Sequence, residues 1–153
     1  MELYEADLMK EGSFDQVMKG STVVIHTAAV VTIISKDPQK EIIDPSIKGT
    51  ENILSSIKKS GTVKSLIMTS SVEAVISPSK ISKEYIFTEK DWNEDADAKH
   101  SPYPYAKVMS ERLVMKYASE NNIRLVVICP ALVMVNYLKK NGKKKEKILK
   151  ILF

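Results

Sequence analysis

Tyr103 and Lys107, in the run SPYPYAKVMSERL, are spaced i, i+4 and so project from one face of a helix about one turn apart. An ammonium beside a phenol favours the phenolate, and a phenol tuned that way can give or take a proton near neutral pH. Tyr105, two residues from Lys107, points elsewhere. The pattern is weak by itself, because surface helices pair such residues often. Two further groups have chemistry to offer. Thr69-Ser70-Ser71 supplies hydroxyls that can hydrogen-bond a carbonyl oxygen, although small polar residues also simply close strands. His26-Thr27-Ala28-Ala29 supplies small residues that let a flat ligand approach the backbone. His26 itself is a candidate base, but a histidine ending a buried strand is more often a core residue. Two histidines and one cysteine show no metal-ligand spacing.

These groups need elements to place them. Leu3–Ala6 is a short strand candidate, followed by a helix around Ser13–Lys19 with Ser13 as N-cap and Gly20 as stop. Thr22–His26 (TVVIH) has the β-branched composition of a buried strand. Helical spacing runs from Pro38 to Lys59 and ends at Gly61. Ser65–Ser70 is the next strand, residues 72–100 are irregular, Tyr103–Glu120 is a helix and Ile123–Ile128 a strand. Strands alternating with helices predict an α/β fold: a partial Rossmann-like, doubly wound parallel sheet with helices on both faces. Ligands of such sheets bind beyond the carboxyl ends of the strands, which points to the places just after His26, Met68 and Cys129.

Bulk properties narrow the class. The 153 residues are 44% hydrophobic and 27% charged, which fits one ordinary globular domain. Residues 1–138 form that domain, and 139–153 a lysine-rich tail. The net charge of +4 is concentrated in that tail without interleaved aromatic residues, which argues against nucleic acid. No apolar run approaches the roughly 18–20 residues of a spanning helix, so no membrane partner is expected. The single Cys129 fits a reducing compartment, and the cytoplasm is the expected location.

Order and spacing together carry a resemblance. Ala6-Asp7-Leu8, EGSFDQVMKG (Glu11–Gly20), VVIHTAA (Val23–Ala29), DPSIKGTENIL (Asp44–Leu54), TSS (Thr69–Ser71), the Tyr103/Lys107 pair and CPALV (Cys129–Val133) follow one another across residues 3–135. In this the chain resembles the extended short-chain dehydrogenases, nearest to the dihydroflavonol reductase and cinnamoyl-CoA reductase group, with 3β-hydroxysteroid dehydrogenase somewhat further off. The resemblance implies an NAD(P)-dependent oxidoreductase acting on a small carbonyl or alcohol substrate. Tyr103 would be the acid/base, Lys107 would hold the nicotinamide ribose and lower the tyrosine pKa, and Ser71 would orient the carbonyl. Asp7 and Leu8 would flank the adenine, Thr27, Ala28 and Ala29 would line the cofactor, and Pro130, Ala131, Leu132 and Val133 would run along the nicotinamide. The cofactor is NADP or NAD.

The sequence also departs from the family. The G-x-x-G-x-x-G turn that holds the pyrophosphate at a helix N-terminus has no counterpart, since Gly12, Gly20, Gly49, Gly61 and Gly142 stand far apart. Val135 and Asn136 replace the usual Gly-Pro. The chain therefore reads as truncated at both ends, opening near the family's third strand. Three functions stay open: a dihydroflavonol reductase-like enzyme, a non-catalytic remnant or partner subunit of an intact homologue, and a sugar-nucleotide epimerase or dehydratase. An exposed sheet edge would favour homo- or hetero-association.

Overall fold

Three apolar runs pair side by side in the computed structural model, which describes residues 2–32 and 35–133. They are β1 (Val23–His26), β2 (Ser65–Thr69) and β3 (Arg124–Ile128), in the order β1-β2-β3 and parallel throughout. Val23 stands opposite Ser65, and Ser65 opposite Arg124. The crossover from β1 to β2 carries α2 (Asp44–Ser60), entered through a π-helical turn at Gln39–Ile43 and stopped by Gly61 in the left-handed conformation. The crossover from β2 to β3 carries α3 (Pro102–Glu120), with Pro102 in the first turn where its missing N–H costs nothing. A four-residue helix, α1 (Asp15–Met18), precedes β1.

The core lies on one face of the sheet. Leu66 and Met68, the alternate residues of β2, pack with Ile53, Leu54 and Ile57 of α2, Val114 of α3 and Met18 of α1. Each such burial contributes about 1.5–3 kcal/mol. A smaller cluster joins Ile42 and Ile43 to Ala106, with Tyr103 and Tyr105 packed against it.

Several expectations are corrected. Leu3–Ala6 is not a strand, because no described strand lies alongside to bond its backbone, and Leu3 is 85% exposed. The first helix is shorter than Ser13–Lys19 because the Ser13 hydroxyl accepts the Asp7 N–H instead of capping it. The parallel α/β class stands, but the described residues place helices on one face alone. On the other face Val23 and Ile25 of β1 and Val126 and Ile128 of β3 are exposed, Ile25 by 65%. Residues 72–100 are irregular apart from two short 3-10 turns, Val72–Ala74 and Pro78–Lys80. The tail at 139–153 and the Val135-Asn136 replacement lie outside the described residues. No helix among the described residues is long and apolar enough to cross a membrane.

Residues 7–10 are held to α2 by two devices. Asn52, 2% exposed, donates to the Leu8 carbonyl at 2.6 Å. Gly49 leaves room for Leu8, whose Cβ would stand 3.3 Å from an added Cβ. Asn52→Ala would leave the Leu8 carbonyl without its donor, and a loss of about 1–3 kcal/mol is expected in urea unfolding. A change below 0.5 kcal/mol, within the range of a neutral surface substitution, would count against this anchoring role.

Candidate active site

The carboxyl ends of β1 and β2 and the N-terminal halves of α2 and α3 converge on a narrow cleft of about 20 Å³. His26, Ala28 and Ala29 come from the end of β1, Met68 and Thr69 from β2, Ser46, Gly49 and Thr50 from α2, and Lys107 and Ser110 from α3. Leu8 closes one side. The parallel topology explains the convergence, since every strand delivers its carboxyl end to the same edge of the sheet.

Lys107 is 6% exposed. Burial lowers its pKa, opposed by the neighbouring Cys129 and Glu111. Its Nζ lies 5.7 Å from the centroid of the Tyr103 ring. His26 is also buried, and burial followed by repulsion from Lys107 lowers its pKa to about 4, so the imidazole is neutral at pH 7. With a conjugate acid of pKa about 4 the neutral imidazole is a weak base, and His26 stands in the wall of the cleft.

The other sequence candidates fall around this centre. Ser71, at the end of β2, is 8% exposed, and its Oγ accepts the Glu73 N–H at 3.2 Å. Asp7, Leu8, Ala28 and Ala29 line a second groove of about 550 Å³ that adjoins the cleft. Thr27 lines a third, about 370 Å³, running along β1. Pro130 accepts the Val72 N–H at 3.1 Å, while Ala131, Leu132 and Val133 are exposed. Ser71, Tyr103 and residues 130–133 line none of these three cavities. Reading the sequence alone missed the α2 contribution of Ser46, Gly49 and Thr50, although the small residues of DPSIKGT were a usable signal.

The cleft has room for about one water, so a nicotinamide ring would have to lie across its mouth. The small side chains of Ala28 and Ala29 and the Lys107 ammonium suit a flat ring and a ribose. The described residues offer no glycine-rich turn at a helix N-terminus for a pyrophosphate. Among the described residues no group of three or more His, Cys, Asp or Glu side chains could hold a metal ion.

Comparison with known proteins agrees with this architecture. Cinnamoyl-CoA reductase CAD2 of Medicago truncatula is 40% identical over 137 residues, covering 88% of this chain and 42% of that protein. Anthocyanidin reductase of Arabidopsis thaliana is 34% identical over 143 residues, covering 90% of this chain and 42% of its own length. The chain thus spans about two fifths of the relatives it matches. Among solved structures, Gre2 of Candida albicans in complex with NADPH superimposes with a TM-score of 0.74 at 29% identity, over 82% of this chain and 41% of that one. The profile of the 3-beta hydroxysteroid dehydrogenase/isomerase family matches residues 1–134, so the chain belongs to that family, within the extended short-chain dehydrogenases of the dihydroflavonol and cinnamoyl-CoA reductase group.

Proposed function

We propose that this chain carries the proton-transfer site of an oxidoreductase that uses NADP or NAD to reduce a small carbonyl compound, or to oxidise the matching alcohol. The observation that carries the reading is the buried Lys107 ammonium, 5.7 Å from the Tyr103 ring centroid and open to a cleft walled by Ala28 and Ala29. Its relatives support the reading, since those named above are reductases, and Gre2 was solved with NADPH.

Tyr103 gives its phenolic proton to the carbonyl oxygen, and Lys107 stabilises the phenolate left behind. The Ser71 oxygen accepts from the Glu73 N–H, which leaves its own hydrogen for the substrate oxygen. Leu8, Ala28, Ala29 and Lys107 would hold the nicotinamide and ribose, with Asp7 and Thr27 in the adjoining grooves and residues 130–133 beyond the end of β3. The bound nicotinamide supplies the hydride. Ala28 and Ala29 allow a flat ring to lie close to the backbone.

The test is NADPH-dependent reduction of cinnamoyl-CoA and methylglyoxal at millimolar NADPH, comparing Tyr103→Phe and Tyr105→Phe with the parent chain. Tyr103→Phe should lose about a hundredfold in rate, the lower range for a proton-transferring group, and Tyr105→Phe should lose little. Equal and measurable rates for Tyr103→Phe and the parent would overturn the assignment. A second reading, a non-catalytic partner of another polypeptide, is favoured by the exposed apolar face of β1 and β3. A folded chain without turnover would support it.

A further inference from the structure

The backbone groups of the 3-10 turn Val72–Ala74, which Ser71 opens, can be followed one by one. The Val72 N–H goes to the Pro130 carbonyl at 3.1 Å, the Glu73 N–H to Ser71 Oγ at 3.2 Å and the Ala74 N–H to the Ser71 carbonyl at 3.0 Å. The Val72 carbonyl accepts from Val75 and Ile76, each at 2.9 Å. The next two carbonyls are both taken by Asn93. Its Nδ2 donates to the Glu73 carbonyl at 2.9 Å and its backbone N–H to the Ala74 carbonyl at 2.8 Å. Asn93 is 5% exposed, and its Oδ1 accepts the Asp95 N–H at 3.1 Å. Ser77, fully buried, fastens the same segment: its Oγ donates to the Trp92 carbonyl at 3.1 Å and accepts the Glu94 N–H at 2.8 Å. The Trp92 ring in turn carries the Arg112 guanidinium of α3, 4.9 Å from its centroid. Trp92-Asn93 thus touches both the turn behind Ser71 and the helix that bears Tyr103 and Lys107.

We propose that Asn93 is a positioning residue for Ser71: by holding the Glu73 and Ala74 carbonyls it keeps the Glu73 N–H on Ser71 Oγ, which leaves the serine hydrogen for the substrate oxygen. The inference rests on the reductase reading and deepens it. A serine hydroxyl rotates to suit its surroundings, so its direction depends on which of its lone pairs is already occupied. A lone 3-10 turn is a poor device for that, because its hydrogen bonds are bent and its run is too short to be cooperative. Clamping the two carbonyls that follow Glu73 restricts the dihedral angles of Glu73 and Ala74, and the N–H cannot swing away from Ser71. A carboxamide suits the place because it donates to Glu73 with one end and accepts from Asp95 with the other. The Trp92–Arg112 contact gives the brace its footing on α3, so Ser71 and Tyr103 are set against each other.

The brace is tested on the full 153-residue chain by water-exchange NMR of the Glu73 amide. Asn93→Ala should speed its exchange about tenfold, the factor that one lost hydrogen bond allows, while the Leu66 and Met68 amides of β2 exchange as in the parent. Asn93→Asp keeps the acceptor for Asp95 and loses the donor to Glu73, so it should behave as Asn93→Ala. Ser71→Ala removes the oxygen that the amide meets and should speed exchange by itself. Adding Asn93→Ala to it should then change little more, because the bond that Asn93 protects is already gone. A residue that only fastens the loop predicts a Glu73 amide as slow in Asn93→Ala as in the parent, or additive effects in the double variant, and either result overturns the proposal. If the Asn93 variants do not fold, the parent chain still answers: the Asn93 side-chain N–H and the Glu73 amide must open together, with one dependence on urea, and two different dependences overturn the brace. In the reductase assay Asn93→Ala should lower kcat about tenfold and leave KM for NADPH unchanged, and an unchanged kcat beside an impaired Ser71→Ala also overturns it. A Glu73 amide indifferent to Asn93 while Tyr103→Phe loses turnover sinks this inference alone. Equal and measurable rates for Tyr103→Phe and the parent sink the reductase reading and, with it, the catalytic meaning of the brace.

Discussion

Titrated with NADPH in a calorimeter, the 153-residue chain by itself should give no saturating heat up to about 1 mM, the upper end of ordinary enzyme affinities. The expectation follows from what grips a dinucleotide. Its pyrophosphate is normally held by backbone N–H groups of a glycine-rich turn at a helix N-terminus. No such run exists in the sequence, whose five glycines are scattered. Two or three missing charge-assisted hydrogen bonds, each contributing about 1.5–3 kcal/mol, weaken binding by roughly 10²–10⁶-fold. Leu8, Ala28, Ala29 and Lys107 remain to hold the ribose and nicotinamide end. A ring anchored at one end is seldom kept at near-attack distance from a substrate carbon. Micromolar binding would reverse this expectation and require a phosphate site elsewhere among these residues.

Stability should fall by up to about 3 kcal/mol as the pH drops from about 6.5 to 4, and His26 is the cause. Its folded pKa is lowered from 6.5 to about 4, chiefly by burial and then by Lys107. Above pH 6.5 the imidazole is neutral in both states and the pH has no leverage through it. Between the two values the unfolded chain binds a proton that the folded chain refuses, so unfolding gains with every step downward. The full loss is reached once the pH passes below the folded value. Asp15, Asp91, Asp95 and Asp97 act in a separate window. Hydrogen bonds lower their pKa, led by Ser56 on Asp15 and by Tyr85 on Asp91. The stability they lend is present above the ordinary carboxylate value of 3.8 and is lost as the pH falls through their lowered values. Urea unfolding at pH 7, 5.5 and 4.5 separates the two. His26→Asn should flatten the dependence across this range. A parent chain equally stable at pH 7 and 4.5 would refute the assignment.

Where local chemistry decides, the sequence was legible. TVVIH and SLIMTS became β1 and β2 to within a residue, because β-branched runs bounded by polar residues have few other uses. Gly61 stopped α2 in the left-handed conformation that the residue type invites. Tyr103 and Lys107 came to lie together because helical spacing alone guarantees it. Where partners distant in sequence decide, the sequence was silent. Leu3–Ala6 has the composition of a strand but no neighbour to bond. Asn52 reaches the Leu8 carbonyl across 44 positions, a contact with no local signature. Val23, Ile25, Val126 and Ile128 looked like residues covered on both faces, yet covering that face needs elements the described residues do not supply. Ser13 is a sound N-cap by type, but the Asp7 N–H competes for its oxygen and takes it.

The central place of β2 has a kinetic consequence. Each of its two pairings joins strands separated by an entire crossover helix, so neither ladder can zip up from a short turn as a hairpin does. A long loop must close before the first parallel hydrogen bond repays the entropy, and such closures set folding times of milliseconds to seconds rather than microseconds. α2 and α3 have short-range bonds and form first. They then search for β2 with Leu66 and Met68 still open to solvent. A chain emerging from the ribosome presents β2 before α3 and β3 exist, so Leu66 and Met68 wait for the part of their cover that Val114 supplies. That interval, rather than the finished fold, is where this sequence is most exposed to misassembly.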